Sequence, residues 1–143
     1  MTKTVDIYNG KDPLELPLFT YAEVARWLKM PPSTVIDRIK ASRPYGEKRK
    51  QVSFVELHKL WIRRDAREDS FVYEDDLPAV YHPAKGVSID PRVSFGRSCI
   101  VGTGTSTGVV ACRVEAGETP QDVADDYDIA LELVEAAVAF ERR

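Results

Sequence analysis

The chain has 143 residues, room for one ordinary domain or two small ones, and its 43% hydrophobic and 30% charged residues are a normal globular balance. No apolar run approaches the roughly 20 residues of a membrane span, and no signal-peptide core follows Met1-Thr2-Lys3-Thr4, so a cytoplasmic protein is expected. The net charge of -3 hides a division: residues 1–64 hold 13 Lys and Arg against 7 Asp and Glu, whereas residues 65–143 hold 7 against 16. Such polarity suggests a basic half facing nucleic acid and an acidic half with another task, uneven surface charge without a partner being the alternative.

Residues 1–17 show no sustained period and read as an arm, with a short strand over Val5 to Tyr8. Thr20 and Glu23 have capping-box spacing, and Val24, Ala25 and Leu28 supply the inner face of a short helix that Pro31 ends. Ser33 is the expected N-cap of a second helix with Val35, Ile36 and Ile39 inward. Ala41 to Gly46 is turn chemistry, Glu47 to Gln51 a polar tip, and Val52-Ser53-Phe54 a returning strand. Phe54 to Ile62 resumes helical spacing through Leu57, Leu60 and Trp61.

Residues 65–76 are mostly charged and read as a linker; Tyr81 to Pro91 reads as extended, and Gly96 to Gly108 as an irregular segment or tight hairpin. Val109 to Glu115 predicts a helix ended by Gly117, and Thr119-Pro120 opens the next, with Val123, Ala124 and Tyr127 inward. A last helix over Ala130 to Glu141 should bury Leu133, Val134, Ala137, Val138 and Phe140. The expected fold class is mainly α: a winged helix-turn-helix domain (18–64), a linker (65–87), and a small helical, helix-turn-helix-like domain (88–143) with a short β hairpin or extended segment.

Two short helices joined by a tight turn form a helix-turn-helix, whose second helix points its first residues at base edges. That places Ser33, Thr34 and Asp37 near the groove, with Arg38 and Lys40 at its wall. Ser and Thr hydroxyls serve a base or a phosphate, while Asp37 can accept from a cytosine amino group or orient Arg38. Lys48, Arg49 and Lys50 stand where a wing would neutralise phosphates. DNA bound by a dimer is the expected partner, since one reader per chain needs a second copy.

Catalysis finds no support. Gly102 to Gly108 lacks the Gly-Lys-Ser/Thr ending of a phosphate loop, and His58 and His82 have no ligand at metal spacing. Glu74-Asp75-Asp76 reads as a solvated acidic loop, and Cys99 has no placed base. Cys99 and Cys112 read as buried free thiols, a disulfide being the alternative. No catalytic residue, metal or cofactor is expected. The helices from Pro120 to Phe140 carry Asp122, Asp125, Asp126, Asp128, Glu132 and Glu135, a set that would repel phosphates and suits protein contact.

Leu18 to Ala25 followed by Met30 to Val35 resembles the opening of a MerR-like winged helix-turn-helix, and Val52 to His58 is similar to the segment that follows it in VapBC-type antitoxins. Ile89 to Arg97, Ala116 to Pro120 and Ala124 to Tyr127 resemble the domain-of-unknown-function family 433. Where that family usually has an Arg after Gly-Thr, this chain has Gly104. The pairing resembles a subgroup of VapB-like antitoxins, and the resemblance implies an operator-binding autorepressor that also neutralises a PIN-domain ribonuclease toxin. An adaptor that binds only proteins is the alternative from another class.

Overall fold

Paired caps and prolines decide where most helices begin. The structure, a computed structural model, describes residues 12–47, 49–63 and 69–142. The expected strand over Val5 to Tyr8 and the basic residue Lys48 lie outside the described residues. The chain divides into two units, residues 1–67 with 73–79, and residues 68–72 with 80–143.

In the first unit β1 (Phe19–Thr20) runs directly into α1 (Tyr21–Leu28). The capping box forms: the Glu23 amide donates to the Thr20 hydroxyl at 3.1 Å, and the Thr20 amide donates to the Glu23 carboxylate at 2.9 Å. Lys29 ends α1 in the left-handed conformation (φ 56), and its amide closes the last turn. After Met30-Pro31 the chain enters α2 (Pro32–Ser42). Here the expected cap is corrected. Pro31 occupies the N-cap position without a side-chain hydrogen bond and Pro32 is already helical, so Ser33 lies inside the first turn.

Strand β2 (Gln51–Val52) pairs antiparallel with β1, Phe19 opposite Val52. Ser53 and Glu56 form a second capping box, so Phe54, where the expected strand and the expected helix overlap, opens α3 (Phe54–Ile62), the helix with the bounds that its spacing indicates. Phe19 lies under this assembly, edge-on to Trp27 at 5.4 Å and tilted against Phe54 at 6.4 Å. Val24, Leu28, Val35, Leu57 and Val52 complete a dry core. Each such side chain contributes about 1.5–3 kcal/mol by leaving water.

The mainly α class is overturned by the strands. Among the described residues, six strands form two antiparallel sheets beside six α-helices, a mixed α/β architecture in place of a winged helix-turn-helix plus a short hairpin. The second sheet has the order β3 (Ser70–Glu74), β4 (Leu77–His82), β5 (Val87–Ile89), β6 (Ser98–Ile100). Ser70 to Glu74, read as linker because of the charges around it, buries Phe71, which stacks on Tyr81 at 4.6 Å. Tyr81 pairs with Ile89, and Val87 with Ile100, all four fully buried. Alternation in strands of three to six residues is too short to stand out against prolines and charges.

Helices α4 (Thr107–Glu115), α5 (Pro120–Tyr127) and α6 (Leu131–Glu141) cover β6. Ile100, Val110, Val123, Ala124, Val134 and Ala137 form their core, and Leu133 packs against it half-buried. The Thr119 hydroxyl caps α5 with Pro120 at its first position, as the sequence indicates. Buried Thr107 donates to the Glu141 carboxylate at 2.6 Å, tying the start of α4 to the end of α6. Cys99 is buried and Cys112 exposed, both free, so the buried-thiol expectation holds for Cys99 alone.

Gly86, between β4 and β5, has φ +82, and an added Cβ would lie 3.1 Å from Ala136 Cβ and 3.3 Å from Leu133 Cδ2. Backbone strain and a close approach to α6 coincide there. Gly86→Ala should therefore lower stability by about 1–3 kcal/mol in thermal unfolding; an unchanged melting temperature would refute the close approach.

Candidate nucleic-acid interface

The loop from Arg43 to Gln51 buries no apolar side chain, yet one side chain holds it. Arg43, only 5% exposed, uses all five guanidinium donors. Nε and Nη2 donate to the Glu56 carboxylate at 2.7 and 2.9 Å. Nη1 donates to the Tyr21 hydroxyl at 3.2 Å and to the Arg49 carbonyl at 2.5 Å, and Nη2 also donates to the Gln51 carbonyl at 2.5 Å. Burial alone would push the Glu56 carboxyl above its usual range, but hydrogen bonds from Arg43 and from the Ser53 amide outweigh it and hold it below. The same Glu56 hydrogen bonds raise the Arg43 pKa against its own burial. Sequence reading treated Arg43 as a turn residue and missed this role. The available signal was Ser53-x-x-Glu56, a capping box whose carboxylate has an oxygen to spare.

Above this hub lies α2. Val35 and Ile39 face the core, leaving Ser33, Asp37 and Lys40 on one exposed line of the helix. Thr34, half-buried, and Arg38, exposed, form the adjacent line. The α2 N-terminus carries no side-chain cap, but Pro31 and Pro32 have no amide hydrogen and the Thr34 and Val35 amides donate to the Pro31 carbonyl, which leaves the Ser33 amide of the first turn to face an anionic ligand. Arg38 also borders a hollow of about 140 Å3 with Lys59 and Arg63 of the α3 region, two cations that sequence reading passed over. Their i, i+4 spacing was the signal. In the loop, Lys50 is exposed, while Arg49 reaches back to Glu47 at 3.4 Å and to Glu56 at 4.0 Å. Arg49 is thus partly spent within the fold.

The second helical pair repeats the plan of the first. Each has an eight-residue helix capped by Thr, a left-handed non-glycine residue (Lys29 or Asp128, φ 56 in both), and an eleven-residue second helix. In both turns the residue after the left-handed one donates its amide to an alanine carbonyl at 3.0 Å, Met30 to Ala25 and Ile129 to Ala124. The second helices then diverge. Arg38 is exposed, whereas Ala137 at the corresponding position is fully buried in the C-terminal core. Of the α6 positions that correspond to the α2 reader, Ala137 is covered, Leu133 and Ala136 are half-buried, and Glu132 and Ala139 stay exposed. Asp122, Asp125, Asp126, Glu132 and Glu135 remain exposed, and Arg113 is drawn to Glu118 and to Asp126 at 2.7 Å.

The C-terminal unit also holds an open cleft of about 520 Å3 on its sheet, walled by Val72, Val80, Val93 and Val101. His82, Asp90 and Cys99 also line it. The His82 Nδ1 lies 3.1 Å from the Val87 carbonyl, and burial pushes the Cys99 thiol up. No group of three or more His, Cys, Asp or Glu among the described residues could hold a metal ion. No described helix is long and apolar enough to cross a membrane.

Comparison with known proteins gives a family match over part of the chain and a likeness of fold over most of it. Residues 87–140 match the family described as protein of unknown function (DUF433), in agreement with the C-terminal resemblance. None of the curated proteins compared matches the chain. Among solved structures, the crystal structure of Rv2018 from Mycobacterium tuberculosis is similar, with a TM-score of 0.69. It is 17% identical, and the match covers 87% of this chain and 99% of that one. At that identity the likeness concerns the fold.

Because the Glu56 pKa is lowered in the fold, the pair stabilises above the ordinary carboxylate range and fades as pH falls through the folded-state value. Arg43→Ala, which strands the half-buried Glu56 carboxylate, should cost about 1–3 kcal/mol in urea unfolding at neutral pH. Arg43→Lys should not rescue it, since a point cation cannot span the four acceptor groups. The acid loss of stability below about pH 4 should flatten in Arg43→Ala. A wild-type pH profile in that variant would show that the pair contributes nothing.

Proposed function

We propose that the chain is a DNA-binding autorepressor that reads its operator with α2 and acts as a dimer. The observation that carries this reading is the exposed Ser33, Asp37, Arg38 and Lys40 surface on a helix held from below by Arg43. Lys59 and Arg63 extend the positive edge beside Arg38, where phosphates would lie. Phosphate contacts fix the register, and α2 supplies base contacts. The acidic second pair takes no part in DNA contact, since the position corresponding to Arg38 is the buried Ala137, that corresponding to Ser33 is the carboxylate Glu132, and its outer surface is anionic.

The finer proposal is an antitoxin of VapBC type, in which the C-terminal unit engages a PIN-domain ribonuclease. It is supported by the family resemblance and by the acidic α5–α6 surface, a protein-facing chemistry. A protein-binding adaptor without DNA function is the competing reading, favoured by the apolar cleft of the C-terminal unit.

Fluorescence anisotropy with the gene's own promoter separates these readings. Arg38→Ala or Thr34→Ala should weaken specific binding by about 1–3 kcal/mol. Neutralising Lys59, Arg63 and Lys50 together should weaken binding to every sequence alike and reduce the salt slope. Promoter binding no tighter than to random DNA would sink the repressor reading and leave the adaptor. The antitoxin proposal predicts that co-expression with a neighbouring PIN-domain protein restores growth, and that charge reversal of Asp122, Asp125 and Glu132 abolishes the rescue while promoter binding persists.

A further inference from the structure

The loop beside the C-terminal cleft is held in a conformation that side chains resist. Ser94 and Phe95 are consecutive non-glycine residues in the left-handed region, φ 49 and 53, followed by Gly96 at φ 80. L-residues adopt that region at a cost, and such strain persists where it positions a side chain. What it positions is Phe95, 59% exposed. Val93 of the same loop lines the cleft, and Val72, Val93 and Val101 all stay more than a third exposed. The exposed aromatic thus stands two residues along the loop from Val93, a wall of the apolar hollow.

We propose that this face joins two copies of the chain, with Phe95 of each protomer seated in the other's cleft. The proposal deepens the dimer reading and rests on it. A two-fold interface uses the same patch on both subunits, so each patch must carry a projection and its receptor together. This patch does. Charge follows the same logic. The cleft's carboxylate is Asp90, whose Oδ1 accepts from the Arg92 amide at 2.8 Å and from Arg92 Nε at 3.2 Å. The loop carries exposed Arg97 two residues beyond Phe95. An inserted loop would bring that cation toward the partner's Asp90, a pairing that fixes orientation. The cleft volume of about 520 Å3 is ample for one aromatic side chain. An aromatic anchor in an apolar pocket ringed by polar groups is the usual centre of binding energy in an interface.

The test is sedimentation equilibrium on the full chain, with circular dichroism measured in parallel. Phe95→Gly removes the projection and lets the backbone adopt φ 53 without strain. The dimer dissociation constant should rise at least about tenfold, while the circular dichroism spectrum of the dilute protein stays that of the folded chain. Val101→Lys, on the receiving wall, should weaken the dimer similarly and leave the circular dichroism spectrum unchanged. A dimer of wild-type strength in either variant overturns the assignment of this face. A wild-type chain that stays monomeric at every concentration overturns the dimer reading itself, a result separable from promoter binding by single chains.

Discussion

The N-terminal unit depends on one guanidinium. The Arg43–Glu56 pair stands where four segments meet: the end of α2, the start of α1 through Tyr21, the loop before β2, and the first turn of α3. A buried charge is tolerated only when its partners are complete, and here every donor is used. Glu56 serves twice, since the oxygen that takes the Ser53 amide also accepts from Arg43. The helix cap and the ion pair are therefore one feature. Hydrophobic burial holds the three helices together, but it is nondirectional. The planar fork of Arg43 adds the direction in which α2 and the basic loop are presented.

That presentation separates two helical pairs of the same plan. Both pairs satisfy identical local rules, namely a Thr cap, a left-handed stop and a three-residue turn. The difference lies in the second helix of each pair. Isoleucine, arginine and lysine at 36, 38 and 40 leave α2 amphipathic, whereas half-buried Ala136 and buried Ala137 allow close approach along α6. Small residues let helices approach; long charged ones hold water. The same backbone motif thus becomes a candidate reader in one unit and core in the other, and local geometry alone does not carry function.

Much of the helical skeleton is legible in the sequence, because its signals are local. Thr20-x-x-Glu23 and Thr119-Pro120 mark helix starts that the structure keeps, and Gly117 ends α4 with φ 114. Ser33 misleads because two prolines precede it: Pro32 at the first helical position is itself a start signal, and it moves the boundary upstream. The four-stranded sheet is illegible for another reason. Its strands are short and its pairings, such as Val87 with Ile100, depend on partners that a linear reading does not bring together. The candidate interface divides the same way. Exposed positions on α2 follow from helical periodicity, whereas Lys59 and Arg63 join Arg38 only through the packing of α3 against α2.

The bond between Thr107 and Glu141 has a bearing on how the chain reaches this structure. α6 contributes Val134, Ala137, Val138 and Phe140, so the C-terminal core stays open until residues near 141 have been made. The N-terminal unit draws on nothing beyond residue 79. During synthesis it can close while β5 and β6 are still without their helical cover, since domains fold as units in the order in which they emerge. For that interval Val87, Ile89 and Ile100 belong to an uncovered sheet, the state most exposed to association with other chains. The vulnerable moment in making this protein falls between Ile100 and Glu141, and the completion of α6 ends it.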